Sequence, residues 1–287
     1  MRYEDYEKGF QKKAKHYSKD EIKRCLEYAK PLIDQGLPVI FNTSHLSSLV
    51  GYTKNYLKRA SLHTPFFYRQ FEISKKNGSK RVIYEPLPNL KEIQQWILKN
   101  ILYKIPISDF AKAYIPKKGI REHVKCHQGF KKIVTLDIEN FFPSIKRERV
   151  EKVFKKLGYS TLIANLLSKL CSLNESIPQG ASTSPYLSNI ILKDFDQNVG
   201  SYCTDNGICY TRYADDLTFS GNIFYEKELI EFIEANLKQE NFKLNHHKTK
   251  IMTNNLRQVV TGIVVNEKIQ VPKTKRKGYY SGTCFRI

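Results

Sequence analysis

The sequence predicts an α+β fold in which helices lie on one face of a mainly antiparallel sheet. Between residues 131 and 271, strand patterns and helical patterns follow the order β–αα–β–β–α–β. Nearer the N-terminus, two β-rich runs flank the turn signal Asn77-Gly78, which indicates a separate hairpin. We expect this hairpin and the helices before it to form a second, smaller lobe.

The N-terminal elements follow from capping and periodicity. Ser18 can cap a helix over 18–35, and Glu21 stands at its capping-box position. Two helices are expected within 45–61, followed by the strands "FYRQFEIS" and "KRVIYEP" of the hairpin. An amphipathic helix is predicted from Leu90 to Leu102.

The later elements begin with the apolar strand "KIVTL", which is followed by Asp137. A helix-turn-helix is expected over 147–173, and "SIPQGASTSPYLSN" is expected to be a loop that leads into a helix. "CYTRYADDLTFSG" (209–221) predicts a tight hairpin, and "KELIEFIEANLKQ" predicts a helix. "QVVTGIVVNEKIQVP" is interpreted as two short strands about Asn266.

The charge of the chain favours a polyanionic partner. Its 287 residues contain 48 Lys and Arg against 28 Asp and Glu, which gives a net charge of +20. From Lys243 onward there are ten basic residues and one acid. A solvated basic surface is the alternative.

The six cysteines lack a CxxC pair, which argues against a zinc framework and favours reduced cytoplasmic thiols. The sequence shows neither a signal peptide nor a membrane span.

Three carboxylates are the candidate chemical centre. Asp137 follows an apolar strand, while Asp215 and Asp216 occupy the turn of the 209–221 hairpin. If the two strands are neighbours in one sheet, their ends bring these acids together, and bound cations remove the repulsion. Oxygen-only ligands favour Mg²⁺, and two such ions can drive an in-line displacement at phosphorus. A solvated Asp-Asp turn is the alternative.

The ordered motifs resemble those of reverse transcriptases. "LDIENFFPSI", "IPQGASTSP", "TRYADDLTFSG", "LNHHKTK" and "VVTGIVV" follow one another in that family's order. The resemblance covers residues 66–271 and is greatest to bacterial retron-type enzymes. It implies a right-hand polymerase with an N-terminal helical extension (1–65), fingers (66–130), a palm with the YADD hairpin (131–271), and a basic tail with a short or missing thumb (272–287).

The resemblance also implies roles for single residues. Asp137 and Asp215 would bind two Mg²⁺ ions as catalytic aspartates, and Asp216 would be the adjacent acid with a metal-binding or electrostatic role. Phe142 would lie under the incoming sugar and exclude a 2′-hydroxyl, while Phe141 would be a core aromatic.

The same resemblance predicts a nucleotide site in the fingers. Lys75 and Arg81 would hold the β- and γ-phosphates of a dNTP, with Lys80 as a neighbouring competitor and a solvated basic hairpin as the alternative. Gln179 and Gly180 would pack against the nucleotide and template, since glycine permits close backbone approach.

Further contacts are implied in the palm. Tyr213, at the start of the YADD motif, is grouped with the nucleotide-binding residues, and Lys248 would protonate pyrophosphate. Val260, Thr261 and Gly262 would contact the primer or RNA.

Two features depart from the retron pattern. "HVKCH" retains the histidine of an Asn-Ala-x-x-His element but lacks Asn-Ala, and His123, Cys126 and His127 have no second ligand cluster for zinc. After Pro272 only 15 residues remain, too few for a helical thumb, which leaves truncation, a partner-supplied thumb or an unusual lineage open.

The resulting hypothesis is an RNA-directed DNA polymerase that copies a structured non-coding RNA in a retron defence system. Its expected partners are that RNA, its DNA product and dNTPs; a defence effector protein and a homo-oligomer are also open, and no membrane is expected. The alternatives are another defence-associated reverse transcriptase with different priming, a non-catalytic RNA-binding platform, and a general basic nucleic-acid-binding protein. A group II intron maturase is disfavoured.

Overall fold

A computed structural model describes residues 2–74, 78, 80–116 and 118–271. This part of the chain forms two compact units. The first contains the residues up to Pro106 together with 145–187, and the second contains 107–144 together with the residues from Ser188 onward. Each unit is therefore built from two separate stretches of chain. The linear domain boundaries expected from the sequence stay a prediction.

The helices and strands are numbered in chain order. The helices are α1 Tyr3–Lys13, α2 Lys19–Asp34, α3 Thr43–Val50, α4 Lys54–Leu62, α5 Pro88–Asn100, α6 Ile120–Lys125, α7 Phe141–Ser144, α8 Arg147–Lys156, α9 Thr161–Leu170, α10 Ser184–Ile191, α11 Lys193–Asp205 and α12 Glu226–Gln239. The strands are β1 Tyr68–Ser74, β2 Lys80–Pro86, β3 Lys132–Asp137, β4 Cys209–Tyr213, β5 Asp216–Gly221, β6 Lys250–Thr253, β7 Val259–Val260 and β8 Ile263–Val264.

The N-terminal helices begin where their capping residues predict. Ser18 Oγ accepts the backbone N–H of Glu21, and the Glu21 carboxylate accepts the backbone N–H of Ser18 at 3.0 Å. This reciprocal capping box satisfies two backbone donors at the start of α2. The predicted helix over 18–35 is therefore confirmed, as are the two helices expected within 45–61.

The core of the first unit gathers around α5. Leu90, Ile93 and Ile97 recur at helical spacing and are fully buried. Gln94 is buried among them, and its amide donates to Tyr68 Oη (2.8 Å) and to a carbonyl of α9 (2.9 Å). Its side-chain oxygen also accepts a backbone N–H of the loop that follows Gly180. This satisfied amide fixes the hairpin base, α9 and that loop to one helix.

The second unit is organised by a four-stranded antiparallel sheet in the order β4–β5–β3–β6. Helix α11 packs against one face, where Tyr210 and Arg212 of β4 both bind Asp196. Helices were expected on one face only, but α6 lies on the other, near Thr211 and Ser220. The reason is that buried hydroxyls on this face offer partners to polar side chains from α6 and its C-terminal end.

The last hairpin differs from its prediction. Strands β7 and β8 turn at Thr261-Gly262, with φ of +47° and +81°, and not about Asn266. Two consecutive residues at positive φ suit the tight turn of a two-residue hairpin. Asn266 instead accepts the backbone N–H of Gln258 at 2.9 Å.

No helix within the described ranges combines the length and apolarity that a bilayer crossing requires.

Candidate active site

Two aspartates face each other at one end of the sheet in the second unit. β3 ends at Asp137, β5 begins at Asp216, and the strand register pairs these residues directly. Opposed residues on neighbouring antiparallel strands point to the same face, with Cβ atoms about 4.5–5.5 Å apart. Only 5% of Asp137 is exposed. The two carboxylates therefore share a small and partly desolvated volume, as expected if β3 and the 209–221 hairpin are neighbours.

The turn between β4 and β5 carries the third acid, Asp215. Ala214 has a φ of +62°, a left-handed conformation that strains a residue with a side chain. The backbone N–H of Ile138 donates to the Asp215 carbonyl oxygen at 3.0 Å. This bond ties the turn to the residue directly after Asp137. All three carboxylates are thus fixed to one end of the sheet by backbone geometry.

A buried ion pair supports the same turn. Arg212 is fully buried, and its Nε and Nη2 donate to both carboxylate oxygens of Asp196 at 2.8 and 2.6 Å. Its Nη1 donates to Asn189 Oδ1 and to the Ala214 carbonyl oxygen, each at 3.1 Å. This paired guanidinium joins α11 to the strained residue of the YADD motif. The sequence reasoning missed it, although an arginine in the middle of a short strand is a detectable signal.

The negative charges of Asp137, Asp215 and Asp216 repel one another. Burial, followed by the charges of Asp215 and Asp137, raises the pKa of Asp216 to about 6, and Lys248 and Lys250 act in the opposite direction. A raised carboxyl pKa means that the protein disfavours the ionised form. The cluster therefore gains from a bound cation.

Lys248 already supplies a cation to this cluster. The backbone N–H of Asn245 donates to the Asp137 carbonyl oxygen at 2.8 Å, and that of Glu139 donates to the Lys243 carbonyl oxygen at 2.9 Å. This pairing brings the 243–248 segment alongside the end of β3. Lys248 Nζ then lies 2.8 Å from both carboxylate oxygens of Asp137.

A cavity of about 500 Å³ opens beside the carboxylates within the second unit. It brings several predicted residues together with two basic residues that the sequence reasoning had not singled out. The functional part of its lining comprises Asp137, Asp216, Lys248, Lys250, Arg257, Thr261 and Gly262. Thr261 Oγ1 is buried and has no hydrogen-bond partner in the described part of the chain. Val260 is fully buried in a core cluster with Met252, which also lines the cavity.

The two adjacent phenylalanines of α7 differ in environment. Phe141 is 4% exposed and packs against Phe242, with ring centroids 6.0 Å apart. Phe142 is only partly buried and lies near Tyr114. These burial classes agree with a core role for Phe141, and they leave part of the Phe142 ring accessible.

The predicted template loop lies in the first unit, against strand β2. The backbone N–H of Tyr84 donates to the Gln179 carbonyl oxygen at 2.8 Å. A Cβ on Gly180 would approach the Tyr84 carbonyl oxygen to 2.6 Å, and the φ of this glycine is +122°. Only glycine fits this close backbone approach.

The hairpin β1–β2 carries the predicted triphosphate cations. Arg81 is exposed on β2, opposite Ile73 of β1. Lys80, the competing cation, lies 2.7 Å from Glu72 across the hairpin. The predicted partner Lys75 and the turn residue Asn77 lie outside the described residues.

The histidines of "HVKCH" have structural partners. His123 Nδ1 lies 2.7 Å from Thr211 Oγ1, and His127 bonds both Thr211 and Ser220. Burial lowers the pKa of each ring to about 3, so both are neutral at pH 7. The His123 ring also packs against that of Tyr213, with centroids 5.4 Å apart. These contacts connect α6 and its C-terminal end to the YADD hairpin.

The donor set of the carboxylate cluster fits a hard divalent cation. In the described ranges, no three His, Cys, Asp or Glu side chains form a ready-made ligand shell. The cluster offers only oxygen donors, and the Lys248 ammonium already lies against both oxygens of Asp137. Mg²⁺ is commonly held by one or two carboxylates, with phosphate and water oxygens completing its shell.

The sequence profile of the family described as "Reverse transcriptase (RNA-dependent DNA polymerase)" matches residues 73–280. The chain belongs to the reverse transcriptase family, and its class of activity is RNA-directed DNA synthesis. Members of this family generally use divalent metal ions.

Curated relatives refine this assignment to the retron type. The chain is 35% identical to Retron Ec86 reverse transcriptase of Escherichia coli over 248 residues, covering 84% of this chain and 77% of that protein. It is 30% identical to Retron Mx65 reverse transcriptase of Myxococcus xanthus over 264 residues, covering 84% of this chain and 62% of that protein.

A solved structure supports the fold alone. Telomerase from Candida tropicalis, in complex with a TWJ fragment of telomeric RNA, matches with a TM-score of 0.55 at 12% identity. The match covers 78% of this chain and 49% of the telomerase chain. This likeness agrees with the predicted fingers-and-palm class.

Proposed function

We propose that the chain copies a structured non-coding RNA into DNA by two-metal-ion nucleotidyl transfer, within a retron that acts in anti-phage defence. The observation that carries the proposal is the direct pairing of Asp137 with Asp216 across β3 and β5, with Asp215 in the adjoining turn. A solvated Asp-Asp turn would not require a third acid opposite it, nor a lysine bonded to that acid. The retron relatives support the assignment to a retron-type enzyme. The structured RNA template and the defence role are what that resemblance implies.

The carboxylates and Lys248 have distinct proposed roles. Asp137 and Asp215 would hold Mg²⁺, and Asp216 would add charge beside them. When bound, the ions would activate a 3′-hydroxyl and stabilise the leaving pyrophosphate. Lys248 would release Asp137 and donate a proton to that pyrophosphate. Catalysis then depends on positioning and on charge stabilisation.

Roles in nucleotide binding are proposed residue by residue within each unit. Arg81, with Lys75, would bind the β- and γ-phosphates, since a guanidinium suits bidentate contact. The accessible Phe142 ring would exclude a 2′-hydroxyl and select deoxynucleotides. Gln179 and Gly180 would support the nascent base pair, and Tyr213 would line the nucleotide site.

The primer side is proposed to use the cavity beside the carboxylates. The Thr261-Gly262 turn contributes to its lining and would contact the primer or RNA. The side chain of Val260 is buried, so its proposed contribution is to hold this turn.

An effector protein and a second copy of the chain are further proposed partners. The proposed location is the cytoplasm, where thiols such as the five described free cysteines stay reduced.

The decisive experiment compares wild type with the double variant Asp137→Asn plus Asp216→Asn. Both proteins would be expressed from the native locus and purified, and the nucleic acid that copurifies would be sequenced. We expect a short RNA-linked DNA with wild type and none with the variant. Both should bind the same RNA.

Primer extension by wild type on a poly(rA) template with an oligo(dT) primer should require Mg²⁺. Asp205→Asn, at an exposed residue of α11, is the matched control and should keep activity.

The remaining outcomes separate the alternatives. A specific RNA bound equally by wild type and variant, with no DNA in either and no primer extension, would support a non-catalytic platform. DNA without a branched RNA linkage would support another defence-associated enzyme with different priming. Equal DNA synthesis by the double variant would overturn the proposed site.

A further inference from the structure

One stretch of the first unit contains no acidic residue. Between Asp34 and Glu72 the sequence has no Asp or Glu, although the chain contains 28 of them. The same stretch supplies Lys54, Lys58 and Arg59, all on helix α4. A local excess of basic residues favours a positive local potential.

Helix α4 presents these cations on its exposed side. Leu57 and Ala60 are fully buried and fix the inner face of the helix, while Lys54, Lys58 and Arg59 are exposed. Residues four apart lie on one face, so Lys54, Lys58 and Leu62 form a stripe roughly 12 Å long. None of the three cations pairs with an acid among the described residues. Their charge is therefore available to a partner.

An exposed aromatic residue follows helix α4 in the chain. The chain after α4 forms a short 3₁₀ turn, Thr64–Phe67, in which the two phenylalanines have different environments. Phe67 packs edge-on against Tyr56, with ring centroids 5.3 Å apart. Phe66 is 81% exposed and Leu62 is 65% exposed. Phe67 thus serves the fold, while Phe66 presents its ring to solvent.

We propose that Lys54, Lys58, Arg59, Leu62 and Phe66, together the α4 surface, bind a single-stranded segment of RNA outside the carboxylate site. The cations would contact successive phosphates, and Phe66 would stack on a base. The choice of RNA as the nucleic acid rests on the proposed function. The exposed basic side chains of α4 favour a polyanion over a protein partner, whose docking would need a larger apolar area.

The test measures binding of fluorescein-labelled oligoadenylate and oligouridylate to the RNA-free chain. Phe66→Ala should weaken both about 5- to 150-fold, because stacking on an aromatic ring tolerates any base. Lys58→Ala plus Arg59→Ala should reduce the slope of log affinity against log salt by about 1.4, since each single-strand phosphate contact contributes about 0.7. Phe66→Ala should leave this slope unchanged.

Matched controls remove equivalent groups elsewhere in the same unit. Leu162→Ala deletes an exposed apolar side chain of α9, and Lys152→Ala plus Lys156→Ala deletes two exposed charges of α8. Both controls should bind RNA as wild type does. A 4-thiouridine-substituted oligonucleotide should cross-link within residues 54–66.

The surface and the proposed enzyme can fail separately. Affinities of the Phe66 and Lys58/Arg59 variants equal to wild type, with no cross-link in 54–66, would overturn the α4 surface while leaving DNA synthesis intact. Loss of affinity in these variants, in a chain that makes no DNA on any template, would retain the surface and overturn the polymerase. Both variants should keep the wild-type kcat with saturating template–primer and show a raised KM.

Discussion

At the scale of single residues, Asp216 shows how the site carries unfavourable charge. Its folded-state pKa of about 6 lies above the ordinary value of 3.8, because of burial and the two neighbouring acids. The ionised side chain therefore reduces stability fully above about pH 6, and this cost disappears below about pH 3.8. The same carboxylate cluster that lowers the stability of the folded chain attracts cations.

The variant Asp216→Asn should reverse this cost in the metal-free chain. We expect the free energy of unfolding to rise by about 1–3 kcal/mol at about pH 8, and the gain to vanish near pH 4. Urea denaturation in the presence of a chelator measures both values, and Asp205→Asn is the exposed control. A gain that is the same at both pH values would contradict the electrostatic explanation.

Some site residues could be anticipated from sequence and others could not. Asp137 follows a predicted strand and Asp215 and Asp216 lie in a predicted hairpin turn, so the sequence predicts that carboxylates meet once the strands are neighbours. That Asp216 is the residue opposite Asp137 is known only from the strand register. Lys250 and Arg257 line the cavity only because of how β6 and the following loop are placed. The partner of Arg212 is Asp196, on a helix 16 residues earlier, and no local pattern identifies it.

At the scale of elements, the loop at Gly180 and strand β2 depend on close backbone contact. Gly180→Ala should displace the loop, because the added Cβ would lie 2.6 Å from the Tyr84 carbonyl oxygen and 2.9 Å from Ile83 Cγ2. We expect a loss of about 1–3 kcal/mol in the free energy of unfolding, with weaker template binding. Thermal and urea denaturation, with a template-binding assay, measure the two effects.

Gly36→Ala is the control for backbone strain alone. Gly36 also has a positive φ, +68°, but nothing lies within 4 Å of its Cβ position. It should cost about 1 kcal/mol or less and leave template binding unchanged. If both variants behaved alike, the contact with β2 would have no special role.

Most elements followed from local sequence signals. Three elements combine a turn or cap signal with clear periodicity: the helix capped by Ser18, the Asn77-Gly78 hairpin and the YADD hairpin. The structure contains that helix and the paired strands of both hairpins. The β7–β8 turn was wrongly placed because Thr261 has positive φ, which β-branched residues rarely adopt. Tertiary packing outweighs that preference, and a single sequence does not reveal it.

At the scale of the whole molecule, net charge governs how nucleic acid is bound. With a charge of +20, we expect log affinity for single-stranded RNA to fall linearly with log salt, with a slope steeper than about −3. Fluorescence anisotropy over a salt series measures this slope. A slope near zero would instead mean that the basic residues form only a solvated surface.

The division into two units could not be predicted from composition. The chain has no low-complexity linker, and residues 107–144 separate the two stretches of the first unit. Hydrophobic patterning identifies buried faces, but it does not say which distant elements share one core. The placement of α8 and α9 in the same unit as the N-terminal helices is therefore a result of the three-dimensional structure.

The order of strands in the central sheet has a consequence for how the protein is made. β3 is synthesised first, yet both of its neighbours, β5 and β6, come roughly 80 or more residues later in the chain. At about 5–20 residues per second, an apolar strand on the ribosome waits on the order of 4–16 seconds for its first partner. During that time its unpaired edges are open to other nascent chains. Yield in the cell should therefore depend on translation rate and on chaperones that cover this strand.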